Sequence, residues 1–140
     1  MKLEKIINRS VDNSEKLAAI ISLGDISDPE FSGVLINMLD NEEPNLRWDA
    51  AIALAKMGRR EGVPIINRLL SRSYYEGFPP KRNGQGIDEN EVNNSIYIAI
   101  SITRKLIDKR YKNNLDFLSK NDKNIKIREF ALKTLNDYYK

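Results

Sequence analysis

The sequence contains no cysteine and no histidine. The first absence excludes disulfides, thiol nucleophiles and thiolate-held zinc, and it fits a reducing compartment, so the expected location is the cytoplasm. The second removes the commonest general base and the commonest transition-metal ligand. Catalysis would fall to Asp, Glu, Lys, Ser or Tyr, and the expectation is a protein that is not an enzyme and uses no cofactor and no metal. Long apolar runs are missing as well. Nothing approaches the roughly 18 residues that cross a bilayer. The opening MKLEKIINRSVDN is broken by charges where a signal peptide needs an apolar stretch. Glycine and proline are sparse outside one short stretch, and several of them stand where a helix begins or ends.

Against these absences stand 41% apolar and 31% charged residues in a chain of 140. That composition belongs to a folded protein, and the length suits one domain over residues 1–140. The net charge of +3 is unevenly spread. Residues 103–140 hold 11 Lys/Arg against 5 Asp/Glu, a net +6, while residues 1–102 hold 12 against 15, a net −3. A basic end attracts phosphates or an acidic partner, or it is simply a solvated lysine-rich face.

The apolar spacing is helical almost throughout. In NSEKLAAIISLG, Leu17, Ile20, Ile21 and Gly24 share a face, after an Asp12/Glu15 capping box. A second helix starts at Asp28-Pro29 and carries Phe31, Val34, Leu35, Met38 and Leu39. A third runs from Pro44 to Gly58 and is apolar on most of its circumference, as expected of a helix packed between others. Pro64 belongs to the first turn of a fourth, with Val63, Ile65, Ile66, Leu69 and Leu70 as its core. After residue 87, Asp88 and Glu91 form a second capping box, ahead of a stripe of Val92, Ile96, Ala99, Thr103 and Leu106. A short helix with Tyr111, Leu115 and Leu118 follows. The last carries Ile127, Ala131, Leu132 and Leu135 on one face. The total is about seven helices and no strand, an all-α fold of antiparallel neighbours joined by short connections.

These helices repeat. LAAIISLG then VLINML matches AIALAKMG then PIINRLL, 34 residues apart at Gly24 and Gly58 and 31 apart at Leu39 and Leu70. LRWDAAIAL, from Leu46, matches IREFALKTL, from Ile127, at an offset of 81. Periods of this length mean stacked helix pairs, each unable to bury its own face alone. The stretch NLRWDAAIALAKMGRREGVPIINRLL, residues 45–70, resembles a HEAT repeat of the short bacterial, phycobilin-lyase type. The pattern is a turn aspartate (Asp40, or Asn41 in its place), then Leu46-Arg47, Ala50-Ala51, Leu54 and Gly58. It recurs as Asp122, Ile127-Arg128, Ala131 and Leu135. The resemblance implies a right-handed α-solenoid with units near 12–40, 44–72, 88–120 and 122–140. It implies a concave face lined by the second helix of each pair, and binding rather than chemistry; a lyase activity is the minor alternative. It also implies that Arg47 and Arg128 tie to the turn aspartates Asp40 and Asp122.

The candidate partner-binding residues follow from this layout. Arg68 and Arg72, four apart on one helix face, and Lys112 belong to the face given to a partner. Trp48 is either packed between units or half exposed as an anchor. The stretch RSYYEGFPPKRNGQG, residues 72–86, interrupts the helices with three aromatics, two prolines and three glycines. Its loop, 73–87, is long for a compact domain. Tyr74, Tyr75 and Phe78 either fold back as a plug over the core or project as a binding device. The expected function is a scaffold or adaptor for a protein or peptide. The alternative is nucleic-acid binding through Lys112, Lys120, Lys123, Lys126 and Arg128, whose mark is steep salt dependence.

Overall fold

A computed structural model describes residues 31–80, 82 and 86–140. The helix expected over 13–24 and the caps expected at Asp12 and Asp28 lie outside the described residues. The described residues hold six α-helices: α1 (Ser32–Met38), α2 (Pro44–Lys56), α3 (Val63–Leu69), α4 (Glu89–Lys105), α5 (Lys112–Asn121) and α6 (Ile125–Tyr138). Short 3-10 helices cover Arg72–Gly77 and Lys109–Tyr111. No strand longer than an isolated bridge occurs among them. The chain divides into two compact units, Met1–Ile66 and Asn67–Lys140.

In the first unit α1 packs on α2. Phe31, Val34 and Leu35 meet Leu46, Ala50, Ala53 and Leu54 in one buried cluster, with Met38, Leu39 and Met57 at its margin. Burial of each large side chain contributes about 1.5–3 kcal/mol. Small residues let α2 bury more than one face: Ala50, Ala51, Ala53 and Ala55 are all covered. The helix starts with Pro44 in its first turn and stops at a Schellman motif. The Gly58 amide donates to Ala55 O and the Arg59 amide to Leu54 O, both at 2.9 Å. Gly58 takes φ +80°, which a side chain would oppose.

In the second unit α5 and α6 form a hairpin, and α4 lies against α6. The stripe Val92, Ile96, Ala99, Thr103 and Leu106 is buried as its spacing requires, and so are Tyr111, Leu115 and Leu118. Asp88 caps α4 by accepting the Glu91 amide at 2.8 Å. In α6 the buried positions are Ile127, Ala131 and Thr134. Leu132 does not join them: it is 50% exposed, a correction to the expected stripe. The α4 and α5 neighbours meet the side of α6 that carries Thr134, turned from Leu132 by two positions. Tyr139 closes the unit. Its hydroxyl donates to Thr103 O at 2.7 Å and accepts the Asp108 amide at 3.3 Å.

Candidate functional site

The turn before each arginine-bearing helix is built alike. Arg47 Nη1 donates to Asn41 O at 2.8 Å and to Glu42 O at 3.2 Å; Arg128 Nη1 donates to Asp122 O at 2.7 Å. Asn41 Oδ1 accepts the Glu43 amide at 2.9 Å, and Asp122 Oδ2 accepts the Asn124 amide at 3.0 Å. The offset of 81 therefore holds for one arginine–carbonyl bond and one side-chain–amide bond, with Asn41 as the counterpart of Asp122. Two expectations are corrected. Neither arginine reaches a turn carboxylate; each donates instead to backbone carbonyls of the turn. Asp40 is exposed, and its carboxylate holds neither arginine.

The Asp122 carboxylate instead holds Arg72. Nε and Nη2 of Arg72 contact its two oxygens at 2.8 and 3.0 Å, and Nη2 also donates to Asn93 Oδ1 at 2.8 Å. The Asp122 side chain is 2% exposed. Arg72 thus ties the 3-10 helix to the α5–α6 turn and to α4. The groove expected from Arg68 and Arg72 loses its second member, since a fork spent on a buried carboxylate cannot also grip a partner. Arg68 is exposed, as is Lys112.

The aromatic loop is in large part a plug. Its first six residues form the 3-10 helix that packs on α4. Tyr75 is buried and donates its hydroxyl to Leu69 O at 2.7 Å; burial raises its pKa. Tyr74 meets Tyr75 and Phe78 edge to face, at 5.5 and 5.3 Å between centroids, and Tyr74 and Phe78 stay partly exposed. Beyond them the chain returns on itself. The Ile87 amide donates to Pro79 O at 3.0 Å, and Gly86, at φ +87°, leaves a side chain no room beside Pro79 O. Trp48, on α2, is partly buried. On the same helix burial pushes Asp49 up to about 6, with Lys56 pulling the other way.

Two exposed groups of the second unit stand out among the described residues. On α5, Phe117 is 64% exposed, three and four residues from Lys120 and Asn113, with Lys112 at the start of the helix. Between α4 and α6 lies a group that sequence reasoning missed. Tyr97 stacks on Phe130 with 4.5 Å between centroids and 23° between planes. The Arg104 guanidinium lies 4.7 Å from the Phe130 centroid and 5.1 Å from that of Tyr138. Its Nε donates to Thr134 Oγ1 at 2.9 Å. Tyr97, Ser101 and Arg104 recur at helical spacing, as do Phe130, Thr134 and Tyr138. That signal was legible within each helix, but not the pairing of the two.

Part of the basic third is paired. Lys120 meets Asp116 at 3.2 Å, Lys123 meets Glu89 at 2.5 Å and Arg110 meets Asp108 at 2.8 Å. Lys123 holds the Glu89 carboxyl below its ordinary range.

The family comparison covers the first of the two turns, that of Arg47. The sequence model for HEAT repeats matches residues 1–76, more than half of the chain. The chain belongs to the HEAT-repeat family. The same pattern recurs beyond that match, since Arg128 repeats the Arg47 bond to the carbonyl six residues earlier. The helical described residues agree with the α-solenoid this family builds. HEAT repeats are commonly protein-interaction scaffolds and typically non-catalytic. No curated protein matches the sequence. No helix among the described residues is long and apolar enough to cross a membrane.

Proposed function

We propose that this HEAT-repeat chain is a non-catalytic scaffold or adaptor that binds a protein or peptide, in the bacterial cytoplasm. Phe117 carries the reading. It belongs to a second helix, the kind the family turns toward its partners. It is the most exposed large apolar side chain among the described residues, in a unit that buries Leu115 and Leu118 from the same helix. Asn113, Lys120 and Asn121, three or four residues away on the same helix face, set it among groups that hydrogen-bond without filling a core. A large apolar side chain in a polar ring is how interfaces place their anchors. Of the residues proposed from sequence, Arg68 and Lys112 stay on this reading. Tyr74, Phe78 and Trp48 are secondary contacts through their exposed parts. Tyr75 and Arg72 leave it, being spent inside the fold.

The test is a paired pull-down from the source organism's lysate, with the wild type and a Phe117→Ser/Lys112→Glu variant shown by circular dichroism to be folded. A protein held by the first bait through a high-salt wash and lost by the second is the expected result. The net +6 of residues 103–140 favours nucleic acid as the second reading. Recovery of nucleic acid alone, released by moderate salt, refutes the scaffold.

A further inference from the structure

The cluster between α4 and α6 has a different chemistry from the α5 face. Arg104 is a fixed cation. Two rings and Thr134 Oγ1 hold it, and 23% of its side chain remains exposed. Its Nη2 is buried and donates no hydrogen bond, so what faces solvent is the rest of the side chain. The nearest carboxylate, Asp137, stands 4.0 Å away and is held at 3.3 Å by Lys133. The guanidinium is therefore oriented yet short of an acceptor, which is uncommon for a group that is costly to leave unmet. Around it the apolar surface is open: Tyr97 is 47% exposed, Tyr138 44% and Ile98 43%. Lys105 follows Arg104 on the outward side of α4. Lys126 precedes Phe130 by one turn on α6. Both are exposed and without an ion-pair partner among the described residues. Glu129 and Asp137 are the acids of this face, and Asp137 is already shared between Lys133 and Arg104. The balance is positive.

We propose that this outer face of α4 and α6 is a docking site for an acidic protein segment carrying an aromatic or aliphatic anchor. Its carboxylates meet the exposed Lys105 and Lys126 and the exposed part of Arg104, and its anchor covers Tyr97 and Tyr138. Held rings with a held arginine lose little freedom on binding, which is why such groups dominate interface energetics. Charge selects the sign of the partner. The cluster offers a base fewer open ring faces than a free aromatic platform, because Tyr97 and Phe130 each cover a face of the other and Arg104 lies over a face of Phe130 and of Tyr138.

The proposal rests on the scaffold reading and adds a second surface to it. The test is selection of a random-peptide display library on the full chain. The winning peptide is then measured by fluorescence anisotropy against the wild type and the variants Tyr97→Ala, Arg104→Lys and Phe117→Ser. Tyr97 is exposed, so Tyr97→Ala keeps the fold even if a change at Arg104 disturbs it. The expected winners are rich in Asp and Glu with one large apolar residue. They bind about tenfold more weakly to Tyr97→Ala and to Arg104→Lys, and equally well to Phe117→Ser. Neutral or basic winners overturn the proposal. Winners lost only by Phe117→Ser overturn it too, and leave the α5 scaffold standing. Failure to enrich any peptide counts against both readings. An oligothymidylate probe that binds the wild type and is weakened by Tyr97→Ala and Arg104→Lys overturns it in favour of nucleic acid.

Discussion

Removing Arg72 should destabilise the second unit far more than removing any surface cation. The Asp122 side chain is 2% exposed, and its carboxylate accepts from two nitrogens of Arg72 and from the Asn124 amide. Arg72→Met keeps the length and the apolar stem but leaves a buried carboxylate with only that amide. Breaking one side of a buried pair costs about 3–5 kcal/mol. The remaining amide and the 20% exposure of Arg72 put the expected loss near the lower end, about 3 kcal/mol. Asp122→Asn should cost less, about 2 kcal/mol, because its oxygen still accepts the Asn124 amide and Arg72 still reaches water and Asn93. The double variant is the informative one. With the charge and its counter-charge both gone, it should lose less than the sum of the singles, by about 1.5–3 kcal/mol of coupling. Urea unfolding followed at 222 nm, at low and high salt, measures all four proteins. High salt should leave the coupling largely intact, since a buried pair is screened much less than an exposed one. An Arg72→Met protein within about 0.5 kcal/mol of the wild type, or fully additive losses, would refute the staple.

Other changes test single bonds. Tyr75→Phe removes the donor to Leu69 O and should cost about 1 kcal/mol in the same urea assay; Tyr75→Ala should cost about 3–5 kcal/mol by opening a cavity. Asp88→Ala removes the cap on α4 and should cost about 1 kcal/mol, whereas Asp40→Ala, at an exposed residue outside the turn bonds, should change stability by less than about 0.5 kcal/mol. Asp49 titrates near 6 in the folded protein against 3.8 when unfolded. The native state thus holds the proton more tightly, and its stability falls as pH rises from about 4 to 6. The gap between these two values corresponds to roughly 3 kcal/mol, which partial exposure reduces to about 1–2. Asp49→Asn should therefore be the more stable protein at pH 7 and lose that advantage near pH 3.5, as read from thermal melts across the pH range.

Helix existence was legible in the sequence because each helix needs only its own periodicity and ends. The Asp88 cap, the Gly58 stop and the buried stripe from Val92 to Leu106 are all local statements, and the structure contains each of them. The repeat was legible for the same reason. Leu46-Arg47 and Ile127-Arg128 keep their spacing to the turn before them, and that spacing alone places the guanidinium against the turn carbonyls. What the sequence could not carry was the identity of partners far apart in the chain. Arg72 looked like a surface cation because four-residue spacing from Arg68 says which face it shares. It does not say that Asp122, 50 residues on, is buried in front of it. Leu132 looked like core because its helix could be rotated slightly either way; the side that α4 and α5 cover decided for Thr134. The same limit hid Arg104. Tyr97 and Phe130 are ordinary residues on their own helices, and only the packing of α4 on α6 turns them, with Tyr138, into a fixed cationic surface. Local rules acting over a few residues determined the helices and their repeat. The long-range choice of which helix faces meet determined which charges are spent inside the fold and which are left for a partner.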